Sequence, residues 1–281
     1  MLFPQQILIT RITMRGKFGF LTTSLILCLC AGCAINPITG EDELMLFGEQ
    51  QDFEIGRKYA PEVEKQMGGR IDNDALQNYM NTVGQKTAAV SHRRSWEYHF
   101  TALEHDSLNA FALPGGYIFL TKGMLKELTT EAQLSAILGH EVAHIVARDT
   151  AALMSRQIGM DLLLAAAASQ TKSQGVVTAA QLATQILGLK FTREDERVAD
   201  LAGLGYMVRA GYNPNGMVET MQMLERKNTV RPIEFFSTHP SPQNRMTYLR
   251  ARIEARYRDL PILKDGKDEY CVGILDHLKD E

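Results

Sequence analysis

Cysteine is almost missing from the body of this 281-residue chain: Cys28, Cys30 and Cys33 fall near its start, and beyond them only Cys271 remains. One cysteine cannot close a bridge within the molecule, so a packed core has to hold the fold. Positive charge is not in excess either. Thirty Lys and Arg stand against 33 Asp and Glu, a balance of −3 that argues against a nucleic-acid surface. Long apolar runs are also missing. The stretches 18–29 and 162–168 fall short of the ~20 residues a membrane-spanning helix needs. No unit of 30–40 residues recurs, which excludes a helical-repeat array.

What the N-terminus does have is order of a familiar kind. Arg11, Arg15 and Lys17, with no acid among them, precede the apolar stretch 18–29 and then Ala31-Gly32-Cys33. Basic, apolar, small: this is the pattern of a secretory signal, starting at Met1 or Met14. An uncleaved anchor is the other reading. Cys33 after two small residues resembles the lipobox of bacterial lipoproteins, although Cys30 stands where leucine is usual. That resemblance implies a lipid anchor at Cys33, the outer membrane and the periplasm. Removing residues 1–32 takes away three cationic residues and no acid, moving the balance from −3 to −6 and leaving 249 residues, enough for one domain. The expected division is 1–32 signal, 33–70 an N-terminal segment with a helix, 71–258 the main domain, and 259–281 a charged tail.

Within the body, 47–67 reads as a polar helix broken near Pro61, and 72–89 as a second helix. Residues 98–103 and 117–121, rich in aromatic and β-branched types, read as strands. Leu113-Pro114-Gly115-Gly116 is a turn signal. Residues 175–210 form a long helical pattern with a break expected before Phe191, and 243–257 read as the last helix.

The chemistry sits in two short segments. His140-Glu141-Val142-Ala143-His144 lies on a helix expected from about 130 to 150. Thr130 is its N-cap and Gln133 the partner in a capping box. Leu134, Ile137, Leu138, Glu141 and Ile145 share its face. Gly139 is either a tolerated helical glycine or a point of close backbone approach. Histidines four apart are offset by about 40° and one turn, so both imidazoles can reach one metal ion. Glu141 then lies beside the first histidine, where it can touch a water on the metal without ligating it. Glu196-Arg197-Val198-Ala199-Asp200 is the second segment. Glu196 can complete a His-His-Glu set, and Asp200 can accept from the far nitrogen of a ligating histidine. Three protein ligands with one open position is the arrangement of a catalytic zinc. Read alone, the second segment is an ordinary solvated charge run.

Taken with Leu108-Asn109-Ala110-Phe111-Ala112-Leu113-Pro114-Gly115-Gly116 and Thr238-His239-Pro240, these segments resemble the M48 zinc metallopeptidases of the gluzincin group. The match runs over 108–245, and it is most similar to the periplasmic, outer-membrane-associated bacterial members. The resemblance implies an α+β, mainly helical, zincin-like metallopeptidase domain with a small sheet beside the active-site helix. It implies one Zn2+ held by His140, His144 and Glu196, with Glu141 as catalytic base and Asp200 as a supporting acceptor. It further implies that 117–121 is an edge strand pairing with extended substrate, with Asn109, Ala110, Gly116, Tyr117 and Ile118 in contact with it. His239, which Pro240 biases to an extended backbone, either stabilises the oxyanion or ligates the zinc in a resting state. Arg245 either braces that loop or holds a carboxylate. His92, His99, His105 and His277 lack ligand spacing. The expected activity is zinc endopeptidase cleavage of unfolded or misassembled envelope proteins, with outer-membrane assembly machinery as a partner. The other functional reading is a chaperone or assembly factor for outer-membrane proteins.

Overall fold

The computed structural model describes residues 33–167, 179–241 and 244–279. The expected signal at 1–32 lies outside the described residues. A two-stranded ribbon opens the described chain, β1 (Cys33–Ile35) antiparallel to β2 (Asp42–Leu44). Helices α1 (Glu49–Gln66) and α2 (Asp74–Ala88) follow, then strands β3 (His99–Leu103), β4 (Ala110–Leu113) and β5 (Tyr117–Thr121). The remainder is helical: α3 (Lys122–Glu127), α4 (Glu131–Ala147), α5 (Asp149–Ala167), α6 (Ala179–Leu187), α7 (Arg193–Arg209), α8 (Asn215–Val230), α9 (Phe235–Thr238), α10 (Arg245–Arg256) and α11 (Lys267–Tyr270). The α+β, mainly helical reading holds. No described helix is long and apolar enough to cross a membrane.

The sheet has the order β3-β5-β4, with β3 parallel and β4 antiparallel to β5. Its side chains alternate between two apolar clusters, as period-two strands require. Phe100, Ala102, Ala110, Ile118 and Leu120 face a large core shared with α2, α4, α7 and α8. Leu103, Phe111, Leu113 and Phe119 face a smaller one with α1 and α6. This order overturns one expectation. Tyr117–Thr121 is the central strand, flanked on both sides, and the edges are β3 and β4, the latter a strand that the sequence reading did not assign.

The outer flank of β3 is closed by the backbone of 69–71, with Ile71 N–H donating to Ala102 O (2.9 Å) and Glu104 N–H to Gly69 O (2.8 Å), and by side chains of α2. Gln77 Nε2 donates to the carbonyls of Ile71 (3.0 Å) and Ala102 (2.9 Å), and its Oε1 accepts from Ala102 N–H at 2.9 Å. Eight residues on, Gln85 Nε2 donates to Tyr98 O at 2.6 Å. Four helical residues rise about 6 Å and two strand residues about 6.6 Å. Amides spaced along one helix face therefore keep step with alternate residues of a strand.

Three helix boundaries differ from expectation. Helix α1 runs through Pro61, because that residue sits on the exposed face where water can take the freed carbonyl. Thr130 does cap α4, its side chain accepting from Gln133 N–H, but Gln133 Oε1 accepts from Thr129 instead of closing a box. Helix α4 also stops before 150: Arg148 takes a left-handed backbone (φ 62°), and α5 starts at the next residue. Every residue of α4 is buried, so it has no solvent side at all.

Of the residues expected as a charged tail, 264–278 are packed onto the body, while 259–262 are exposed. Tyr270 and Ile274 are fully buried against α2, and the carbonyls of Asp265 and Gly266 accept from Ala132 and Glu131 N–H at the start of α4 (3.0 and 3.2 Å). The last turns of chain cap the helix that carries the histidines.

Candidate active site

Helices α4 and α7 cross at Gly139 and Gly203. A Cβ on Gly203 would lie 2.8 Å from His140 N, and one on Gly139 would lie 3.0 Å from Gly203 O. Gly139 thus marks close backbone approach. Glu196, Asp200 and Gly203 are spaced i, i+4, i+7 along α7, a single face. The crossing therefore sets both carboxylates directly against the histidines of α4. Thr192 caps α7 in a reciprocal box with Asp195, which fixes where that face begins.

His140, Glu141, His144, Glu196, Asp200, His239 and Arg245 all converge, each of them buried. His140 Nε2 lies 3.1 Å from His144 Nε2 and 3.5 Å from Glu196 Oε2, and His144 Nε2 lies 3.4 Å from Glu196 Oε1. The far nitrogens face carboxylates: His144 Nδ1 is 2.7 Å from Asp149 Oδ2, and His140 Nδ1 is 3.1 Å from Asp200 Oδ1. Protons on the two Nδ1 atoms leave both Nε2 lone pairs aimed into the same small space, an arrangement that repels unless a cation sits between them. Tetrahedral ligands at about 2.0–2.1 Å from zinc stand about 3.3–3.4 Å apart, close to the separations found here.

The charge inventory points the same way. Glu141, Asp149, Glu196 and Asp200 are buried carboxylates, and Arg245 is the guanidinium that pairs among them; Arg148, also buried, is bonded to a further carboxylate, Asp52. Such an excess is costly without a compensating cation. Burial pushes Glu196 upward, but His239, His140 and His144 together hold it well below the usual carboxylate range. Burial likewise drives Asp200 up, and Arg245 and His140 bring it down. Arg245 donates to Asp200 Oδ1 at 2.5 Å and lies 3.6 Å from Glu196 Oε2; Tyr248 donates to Asp200 Oδ2.

His239 follows α9, which is pinned to the start of β4 by Phe235 N–H donating to Leu108 O (3.1 Å). Its ring stacks on Phe235 (centroids 4.5 Å, 8°), its Nδ1 lies 2.8 Å from Glu196 Oε1, and its Nε2 lies 3.8 Å from Glu141 Oε1. One ligand atom from each of His140, His144, Glu196 and His239 falls within 4.8 Å of all the others. A narrow cleft lined by Phe111 and Ala112 of β4, Ile186 and Leu187 of α6, Phe191 and His239 leads to this cluster.

The expected substrate residues divide. Asn109 and Ala110 stand at the start of edge strand β4, and Asn109 Oδ1 is buried without a partner. Tyr117 and Ile118 belong to the central strand, with Gly116 in the turn that leads into it, so that strand's backbone is already engaged with β3 and β4. Gly116 (φ 99°) is there because a Cβ would meet Glu97 O at 2.1 Å; Tyr117 stacks on His99, and Ile118 is core. The sequence reading missed Asp149, Phe191 (stacked on His144, centroids 4.0 Å) and Tyr248. Asp149 was beyond reach, since five residues after His144 it would face away unless the helix broke at Arg148.

Residues 74–253 match the profile of peptidase family M48. The chain belongs to that family. M48 peptidases use zinc, and the four-residue cluster is able to bind it. This M48 chain is 25% identical over 255 residues to the beta-barrel assembly-enhancing protease of Escherichia coli (strain K12), covering 80% of itself and 52% of that protein. It is 32% identical over 195 residues to the mitochondrial metalloendopeptidase OMA1 of Schizosaccharomyces pombe, covering 68% and 56% respectively. The chain spans about half the length of these relatives.

Proposed function

We propose that this protein is a zinc endopeptidase that cleaves unfolded or misassembled proteins of the bacterial envelope. The observation that carries the reading is the convergence of His140 Nε2 and His144 Nε2, 3.1 Å apart, on the Glu196 carboxylate, whose Oε2 is 3.5 Å from the first and Oε1 3.4 Å from the second, with Glu141 alongside. His140, His144 and Glu196 would hold the ion, which when bound acidifies water at its open position toward a pKa of about 7 and polarises a peptide carbonyl. Glu141 takes the proton of the attacking water and delivers it to the leaving amine. Its two oxygens accept no hydrogen bond from the protein, which keeps them available for that exchange. Asp149 and Asp200 hold the imidazoles in the tautomer that presents Nε2, and Arg245 with Tyr248 holds Asp200.

Substrate enters extended, pairing with β4 across the cleft, where main-chain hydrogen bonds give affinity with little dependence on sequence. Asn109 and Ala110 lie where that strand begins. The likeness to a bacterial beta-barrel assembly-enhancing protease supports outer-membrane proteins as substrates, their assembly machinery as a partner, and a periplasmic location. The exposed Cys33 at the head of β1 suits a lipid anchor. His239 acts as a fourth ligand in a resting state, a reading favoured by its place in the cluster.

Glu141→Gln tests the core of this. Casein cleavage is expected to vanish while metal analysis still finds one zinc per chain. Retained cleavage refutes the base assignment, and a protein that takes up no zinc refutes the metal centre. His239→Ala is expected to raise turnover; a fall would assign it to the oxyanion instead.

A further inference from the structure

Helix α1 lies outside the residues that match the M48 profile, yet it reaches the back of the metal site. Asp52, in its first turns, is 1% exposed. Its Oδ2 accepts from Arg148 Nε at 2.5 Å, and Arg148 also donates to Phe47 O at 2.6 Å. Arg148 is the one residue between α4 and α5, and its backbone is left-handed. A side chain with a Cβ adopts that conformation reluctantly, and it persists where surroundings impose it. The next residue, Asp149, is the partner of His144 Nδ1.

A second observation places α1 behind the same histidine. One small cavity is lined by Asp52, Leu113, Pro114, Gly115, His144 and Arg148 among its walls. A Cβ on Gly56 would meet Pro114 O at 2.1 Å, and one on Gly115 would meet Asp52 O at 2.6 Å. The helix is therefore seated directly on the turn that ends β4.

We infer that Asp52 is a positioning residue for the metal centre: by gripping Arg148 it fixes the one-residue turn that aims Asp149 at His144. The inference rests on the zinc reading above. The carboxylate never touches metal or substrate. It sets the orientation of a group that orients a ligand, so its loss loosens the ion instead of removing a catalytic group. The N-terminal segment expected ahead of the main domain is, on this view, part of the site.

The test uses the full chain with Asp52→Asn and Arg148→Gly, and with Glu104→Gln as control, since Glu104 pairs with Lys122 away from the site (2.5 Å). Zinc release to a chromogenic chelator, thermal unfolding of the metal-stripped protein, and kcat and KM on a peptide are measured for each. Supporting contacts of this kind are worth about 10–100-fold in metal affinity or activity. Asp52→Asn is expected to release zinc about tenfold faster, with lowered kcat, little change in KM and metal-free stability close to wild type. Glu104→Gln should release zinc like wild type. If Asp52→Asn does not fold, Arg148→Gly decides, because glycine accepts the left-handed turn and the grip is lost without straining the backbone. Wild-type release rates in the folded variants overturn the inference while leaving the peptidase intact. A wild-type protein that binds no zinc overturns both.

Discussion

Gly203 has no chemistry of its own, yet the site depends on it. With the backbone of α4 2.8 Å from where its Cβ would be, even a methyl group has nowhere to go. Gly203→Ala is expected to destabilise the protein by about 1–3 kcal/mol, read by chemical denaturation. It should also weaken zinc binding, because Glu196 and Asp200 ride on the same face of α7. At this scale the sequence was informative wherever function follows from helical spacing. His140 and His144 share a face for the same reason in any helix, and Glu196 with Asp200 likewise. It was silent on Asp149, whose direction depends on one left-handed arginine. Nothing in an arginine advertises that backbone.

Among the elements, the helices were the easier part, since amphipathic or capped stretches announce themselves locally. Strand order did not. Whether 117–121 is central or at an edge depends on Ala110–Leu113 folding back on it, and those four residues are apolar without alternation. Helix α1 was expected to break at Pro61 because sequence alone does not say that the residue faces water. An element-level prediction concerns the seam between α2 and β3. Gln77→Leu strands Ala102 N–H without an acceptor in a buried place, at a cost of about 1–3 kcal/mol. Denaturation midpoints check it, and Asn78, exposed on the neighbouring position of the helix, serves as a control that should be neutral.

For the molecule as a whole, the peptidase fold extends beyond both ends of the M48 match, into α1 on one side and residues 264–278 on the other. The second extension was invisible in the sequence because its charged composition hides three apolar side chains, Tyr270, Ile274 and Leu278, all of them buried. Each buried side chain of this size is worth about 1.5–3 kcal/mol, against a total stability of about 5–15 kcal/mol for a typical domain. Deleting 264–281 also uncaps α4. The truncated protein is expected to lose cooperative thermal unfolding, monitored by circular dichroism; a sharp transition near that of the full chain would show the segment to be dispensable.

The row of amides laid along β3 bears on how such a molecule lives among its own kind. A sheet able to recruit a stretched polypeptide on one side is at risk of recruiting another copy of itself on the opposite side. Gln77 and Gln85 occupy that opposite side as a counterfeit strand would, satisfying the backbone without offering a new edge. Replacing both would leave only the short backbone pairing around Arg70 to guard that side, and a greater tendency to self-aggregate in concentrated solution would follow.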